Sequence, residues 1–386
     1  VENIIELNKV YNGDALEVLK TFPNDSINCC VTSPPYFGLR DYGTAQWDGG
    51  DTECDHVVAE IRTGLGLENS PASVKGGGHK AKDIDKLLAK RICHKCGATR
   101  IDRQVGLEET PEEYIERLVG IFREVRRVLR DDGTLWLNIG DSYAGSGKGA
   151  ANYPENAKKY KQGTNKGMLG AVETLNIKTP NCKPKDLIGI PWMLAFALRN
   201  DGWWLRQDII WHKPNSMPES VRDRCTKSHE YIFLLSKSPK YYYNNEAIKE
   251  PVAEATMGRM KRGVSDSHKN INGAPGQTPH SMNKPRLNTK NAQTDVDIDK
   301  KYEKRNKRNV WTVSVKPFKD SHFAVFPPDL IEPCILAGCP ENGLVLDPFF
   351  GSGTVGVVSK KHNRNYIGID LNIKYCDMAA ARIEAV

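Results

Sequence analysis

No run in this chain approaches the roughly eighteen consecutive apolar residues that a membrane-spanning helix requires, which excludes a helical membrane protein. No N-terminal stretch joins a basic start to an apolar core, so no export signal is expected and the protein is read as cytoplasmic. Internal repeats are missing, which sets repeat architectures aside. There are ten cysteines in 386 residues, and without an export signal they do not read as a disulfide framework but as thiols or metal ligands. A Walker phosphate loop is missing as well. The tempting "GSGKGA" at 145 to 150 has Ser142 where the first glycine belongs and Gly149 where Ser or Thr is required.

What is present is a length suited to one large core with a substantial insertion or second lobe. The net charge of +7 is modest but unevenly spread. Between Ala255 and Val310 thirteen Lys or Arg stand against five Asp or Glu, which points to a polyanionic partner.

Strand and helix patterns alternate along much of the chain. "IIELNKVYNGDALEVLKTFPNDSINCCVTSPPY" reads as strand, turn, helix, turn, strand, with Leu16, Val18 and Leu19 on the helix face and a buried strand over 27–31. From Gly43 to about Gly106 the chain is rich in Gly, Lys and Asp and reads as an insertion. Thr110 caps the next helix, with Pro111 at its first position; Asp132-Gly133 are expected to stop it, and 134–139 to form the following strand. A helix and strand follow in "IPWMLAFALRNDGWWLRQDIIWHKP", then a strand over 230–236. The rhythm predicts an α/β fold with a doubly wound, mostly parallel sheet. Residues 145–180 and 251–309 break it and are expected to be mobile loops.

Two turns carry candidate chemistry. In "LVLDPFFGSGTVGVVSKKHNRNYIGIDLN" a buried strand ends in Asp347 and a tight Pro-Phe-Phe-Gly-Ser-Gly turn, and a second strand ends in Asp370, 17 residues beyond Gly353. Glycines let backbone approach a ligand, and an acid closing the second strand can accept both hydroxyls of a ribose. The glycine pattern is not G-x-G-x-x-G. An aspartate in the turn suits a ligand with a positively charged amino acid head, such as S-adenosylmethionine, better than a pyrophosphate. A glycine turn closing an ordinary βαβ unit is the bland alternative.

The second turn, Ser33-Pro34-Pro35-Tyr36, also sits at a strand end. It offers a hydroxyl, a carbonyl whose direction proline fixes, and a ring. Two acceptors on an exocyclic amine would localise its lone pair toward an incoming methyl group, while the ring stacks on a base taken out of the duplex. A rigid Pro-Pro loop with a surface tyrosine is the alternative here.

Together, and in this order, the two turns resemble those of the β-class amino-methylating DNA methyltransferases, which pair a [DNS]-P-P-[YFW] catalytic turn with a later F-x-G-x-G cofactor loop. The resemblance covers nearly the whole core. It implies the S-adenosylmethionine-dependent methyltransferase fold with permuted motif order, with Ser33, Pro34, Pro35 and Tyr36 as catalytic residues. It implies cofactor binding by Asp14 in "NGDALEVL", by Phe326 and Pro327 in "HFAVFPPDLIE", and by Asp347, Phe349, Gly351, Gly353 and Asp370. Serine at the first turn position is similar to the cytosine-N4 enzymes, with adenine N6 as the alternative. Implied partners are double-stranded DNA, with a homodimer and a cognate restriction endonuclease as further candidates and no membrane. A non-catalytic nucleic-acid-binding module and an RNA or protein methyltransferase stay open as rival readings.

Inside the insertion, "ECDH" supplies Cys54 and His56, and "CHKCG" supplies Cys93 and Cys96. Four soft ligands at this spacing fit a closed structural zinc site, with His94 a competing ligand and unmetallated thiols the alternative. In "WHKPNSMPES", His212 reads as structural, and 211–214 are expected to line a pocket without proton chemistry. By position, the basic segment matches the family's target-recognition region and would contact phosphates. The expected organisation is 1–42 catalytic domain, 43–106 zinc-binding insertion, 107–250 catalytic domain continued, 251–310 target recognition, and 311–386 the cofactor-binding part.

Overall fold

The computed structural model describes residues 5–38, 44–56, 92–93, 95–144, 179–253, 304–316 and 325–386. His94, the "GSGKGA" stretch, nearly all of 145–180, the middle of 43–106 and most of the basic segment lie outside the described residues.

Local chemistry sets the elements of the first half. β1 (Lys9–Asn12) leads to Asp14, whose carboxylate accepts from the Leu16 and Glu17 N–H groups and so starts α1 (Ala15–Lys20). β2 (Ile27–Thr32) follows, and β3 (Gln46–Asp48) pairs antiparallel with β4 (Thr99–Ile101). α2 (Pro111–Val128) opens at Thr110, the cap that the sequence predicts, and Glu113 completes a capping box with it.

The expected boundary after α2 is corrected. The helix stops at Val128, and β5 (Leu129–Ile139) begins at once, because Val128 and Leu129 are both fully buried and draw the chain straight into the sheet. Arg130, Asp131 and Asp132 bulge to solvent instead, so Ile27 of β2 pairs with Leu129 while Cys29 pairs with Thr134.

α3 (Ile190–Asn200), β6 (Trp204–His212) and β7 (His229–Ser236) come next. β8 (Glu250–Pro251) pairs with β9 (Lys304–Arg305), and β10 (Val310–Thr312) lies beside β6. The chain closes with α4 (Pro328–Gly338), β11 (Leu344–Asp347), α5 (Thr354–Lys361), β12 (Asn365–Asp370) and α6 (Ile373–Glu384).

The central sheet has eight strands in the order β1-β12-β11-β2-β5-β7-β6-β10. Only β7 runs antiparallel to its neighbours β5 and β6; the other pairings are parallel. Alternate strand residues face two cores. Cys30, Leu135, Leu346 and Ile367 pack with α1, α2 and α3, whereas Cys29, Trp136, Val345 and Tyr366 pack with α4, α5 and α6. This is the three-layer arrangement that the alternating pattern predicts. No helix among the described residues is long and apolar enough to cross a membrane.

β11 and β2 are adjacent, with Val345 opposite Cys29 and Leu346 opposite Cys30. From β11 the chain crosses to β12 on one side, and from β2 it crosses to β5 on the other. The boundary between these two strands is therefore the switch point of the sheet, where open α/β sheets hold their ligands at the carboxyl ends. Thr32 and Asp347 end the two strands there.

Candidate active site at the switch point

Both sequence turns leave the sheet at this point. A cavity of about 440 Å³ lies over it, lined by Ser33, Pro34, Pro35 and Tyr36 on one side and by Phe349, Gly351 and Asp370 on the other. Asp14 and Phe326 also line it, and Trp211 and Lys213 close the far wall. A larger cavity, about 720 Å³, runs along edge strand β1 and α6 among Asn8, Asn363 and Asn365. It runs from the amino end of β12 to Asn12 at the end of β1 and holds none of the candidate site residues that the sequence singles out.

The glycine loop has a floor and an anchor. Asp347 is 1 % exposed; its Oδ1 accepts from the Thr32 hydroxyl (2.6 Å) and from the Phe349 N–H (3.0 Å). Burial, only partly offset by these bonds, pushes its carboxyl up to about 7. Asp370 accepts from Gly351 N–H through Oδ2 and from Asn372 N–H through Oδ1, both at 2.8 Å, and burial raises its pKa too. These bonds aim the Asp370 carboxylate along the loop, and each oxygen keeps a lone pair for a ligand hydroxyl. Gly353 has φ +75° and lies so close to α6 that a Cβ would come 2.7 Å from that of Ala379. Pro327 caps α4 and, with Asp347 and Gly353, stands behind the cavity surface.

The proline turn is pinned from several sides. The Tyr114 hydroxyl on α2 donates to the Pro35 carbonyl (2.8 Å). The Tyr36 ring is pressed so close to Gly140 that a Cβ there would come 2.6 Å from it. Its hydroxyl donates to Glu230 (2.8 Å) and reaches Asn138 Oδ1 (3.3 Å), which also accepts from the Ser33 hydroxyl (3.3 Å). Burial, then the negative charge of Glu230, holds the Tyr36 phenol well above its ordinary pKa, so it stays a neutral donor. Lys213 neutralises Glu230 through a largely buried ion pair and sits 4.0 Å from the centre of the Trp211 ring.

Asn138, Glu230, Thr32 and Tyr114 are the contributors that sequence reasoning missed, whereas Lys213 falls within the stretch expected to line a pocket. Asn138 carried a signal: it is a lone amide in the apolar run "TLWLNI", at the carboxyl end of β5. Glu230 carried none, because only the antiparallel course of β7 brings its amino end to this edge. Of 211–214, expected to line a pocket, Trp211 and Lys213 do so, but His212 and Pro214 do not, and His212 bonds Thr312.

Away from the cavity, Cys54, His56, Cys93 and Cys96 do come together. Their four ligand atoms lie within 4.8 Å of one another.

Comparison with known proteins places this geometry. Residues 27–381 match the family model described as DNA methylase (N6_N4_Mtase). The type II methyltransferase M.Cfr9I of Citrobacter freundii is 39% identical over 382 residues, spanning 98% of this chain and 89% of the relative. M.SmaI of Serratia marcescens, also a type II methyltransferase, is 40% identical over 376 residues, spanning 97% and 90%. Among solved structures, the PvuII DNA methyltransferase (cytosine-N4-specific) superposes with a TM-score of 0.52 at 15% identity, covering 98% of this chain and 86% of the other. At that identity the likeness speaks for the fold.

The buried Asp347 generates a prediction. From its ordinary 3.8 up to about 7, the folded chain keeps a proton that the unfolded chain has released, so stability falls as pH rises through that window. Asp347→Asn removes this titration. In thermal melts of the chain alone, the variant should gain on the wild type between pH 4 and 7, the gap then levelling at on the order of 4 kcal/mol. A gap that does not change with pH would contradict the assignment.

Proposed function

The chain belongs to the N6/N4 DNA methylase family, and on that premise we propose that it transfers a methyl group from S-adenosylmethionine to the N4 amine of a cytosine flipped out of a specific duplex site. One observation carries the reading: a single cavity joins the Ser33–Tyr36 turn to the glycine loop and Asp370.

The cavity residues fit the cofactor. Asp370 would accept the ribose hydroxyls, and the Phe349 and Phe326 rings supply apolar walls. Asp14 at the start of α1 would face the adenine, Gly351 and Gly353 keep the loop close, and Pro327 backs the wall beside Phe326. Asp347 would answer the positive amino acid head from beneath the loop, where its own burial cost is relieved by a cation. Bound there, S-adenosylmethionine supplies an electrophilic methyl on sulfur.

The proline turn acts on the other reactant. The Ser33 hydroxyl and the Pro34 carbonyl would take the two amine hydrogens, Pro35 stiffens the turn, and Tyr36 would stack on the base. Asn138 and Glu230 act as positioning residues, because their bonds to the phenol set the plane of the ring before a base arrives. The choice of cytosine rests on Ser33. A carboxylate at that position is commoner in the adenine enzymes, and the base in a flipped pocket is read by all of its walls.

DNA would lie across the basic segment 251–310, which we assign to target recognition, with 43–106 as a separate insertion in the catalytic domain. Among the described residues of that segment, Arg305 and Arg308 are both held by Glu250, at 2.9 and 2.7 Å. A restriction endonuclease of matching specificity is part of the proposal, since the relatives are type II methyltransferases.

Incubation with labelled S-adenosylmethionine and unmethylated DNA, digestion to nucleosides and mass spectrometry should yield N4-methylcytosine. N6-methyladenine would keep the chemistry and overturn the base. Tyr36→Ala should lower methyl transfer roughly 5- to 150-fold, the value of one base–aromatic stack, with little change in cofactor Kd. Asp370→Ala should raise that Kd by at least about tenfold through lost charged hydrogen bonds. Glu230→Ala should slow transfer, while Glu230→Gln, which keeps an acceptor, should restore most of it. In a double-mutant cycle Glu230→Ala should add little to Tyr36→Phe. Full additivity would show that Glu230 acts on something other than the ring.

A further inference from the structure

The Cys/His cluster stands on a part of the chain that methyl transfer leaves unexplained. Cys54 and Cys93 bring their sulfurs to 3.8 Å, and Cys96 sulfur lies 3.3 Å from His56 Nδ1. Ligands about 2.3 Å from a tetrahedral zinc have sulfur–sulfur edges of about 3.8 Å. The backbone around them is shaped for it. Cys93 and Ala98 are bonded N–H to carbonyl (2.7 Å), Gly97 N–H returns to the Cys93 carbonyl (2.9 Å), and Gly97 has φ +74°. Gly50, with φ +73°, sits where any side chain would strike the Cys96 sulfur at 2.7 Å. The Trp47 ring stacks on His56 at 4.9 Å and sets the imidazole plane, and Lys95 bonds Asp55 (2.7 Å) across the two halves. A two-stranded ribbon this small has little core of its own, so a metal is the natural staple.

The ribbon leads back to the proline turn. β3 and β4 converge on Thr44 and Asp102, bonded at 3.0 Å. Below them Gly38 N–H donates to the Gly106 carbonyl (2.9 Å), one residue beyond Phe37. Gly106 is pressed against the turn: a Cβ there would lie 2.9 Å from the Tyr36 carbonyl oxygen and 3.3 Å from that of Pro35. Arg117 on α2 fastens this root to Glu108 and the Gln104 carbonyl, each at 2.9 Å. Thr44, Arg103 and Gln104 also line the cavity.

We propose that Cys54, His56, Cys93 and Cys96 bind one zinc ion in a closed tetrahedral S3N site, and that the metal holds the β3–β4 ribbon as a buttress behind the Ser33–Tyr36 turn. Four protein ligands leave no open position, so the metal is structural. The buttress half of the proposal rests on the catalytic reading of the turn; the metal half does not.

The test uses the full chain purified without added metal. Elemental analysis should find one zinc per chain, released when a mercurial titrates the thiols and captured by a chromogenic chelator. Cobalt substitution should give the sulfur-to-cobalt and d–d absorption of a tetrahedral thiolate site. Cys96→Ser should lose the metal, and Cys54→His, which keeps a ligand, should retain it. A folded chain without zinc, with another metal in its place, or with a Cys54–Cys93 disulfide overturns the site. Metal loss should lower methyl transfer by up to about a hundredfold, the cost of a misplaced catalytic group, while cofactor Kd stays unchanged. Transfer that survives metal loss intact overturns the buttress. A wild-type chain that binds zinc and methylates nothing would overturn the catalytic reading, and the buttress with it, while supporting the metal site.

Discussion

The bond from Thr32 to Asp347 is the constraint on which the rest of the site depends. It spans 315 positions of sequence and 2.6 Å of space, and it exists because β2 and β11 are neighbours at the switch point. Each strand ends in one of its two residues, and each is followed at once by a turn that points into the same cavity. A one-residue slip of either strand would turn its terminal residue to the opposite face of the sheet and separate the pair. The cores on both sides of the sheet oppose such a slip, because Val345 and Leu346 fill different cores and differ in size.

Charge is divided between the two halves of the cavity in different ways. On the glycine-loop side, Asp347 and Asp370 are carboxylates whose pKa values are raised by burial, a state that a cationic ligand relieves. On the proline-turn side, Glu230 already has its cation in Lys213, and its remaining acceptor capacity goes to Tyr36. One half is left wanting positive charge while the other is internally satisfied and rigid. That asymmetry suits a cationic methyl donor on one side and a neutral, planar acceptor on the other.

Much of this was legible in the sequence. Both turns, the capping residue Thr110, the strand endings at Asp347 and Asp370, and the convergence of Cys54, His56, Cys93 and Cys96 follow from local signals. Local signals stopped at pairing. Nothing in "HEYIFLLS" says that β7 runs against its neighbours, so Glu230 could not be placed beside Tyr36. The Asp132-Gly133 pair reads as a helix end but lies in a bulge, because burial of Leu129 outweighs the turn preference of Asp-Gly. Asp347 reads as a cofactor-binding residue; that its bonds run to Thr32 and the loop itself depends on strand order, which composition does not encode.

The most direct test of the central claim, that one cavity at the switch point serves both reactants, is a crystal structure of the full chain with S-adenosylmethionine. The account predicts the ribose on Asp370 and the sulfonium methyl directed at the Ser33–Tyr36 turn. Cofactor seated instead in the asparagine-lined cavity along β1 and α6, or in the switch-point cavity with its methyl turned away from Tyr36, would contradict it.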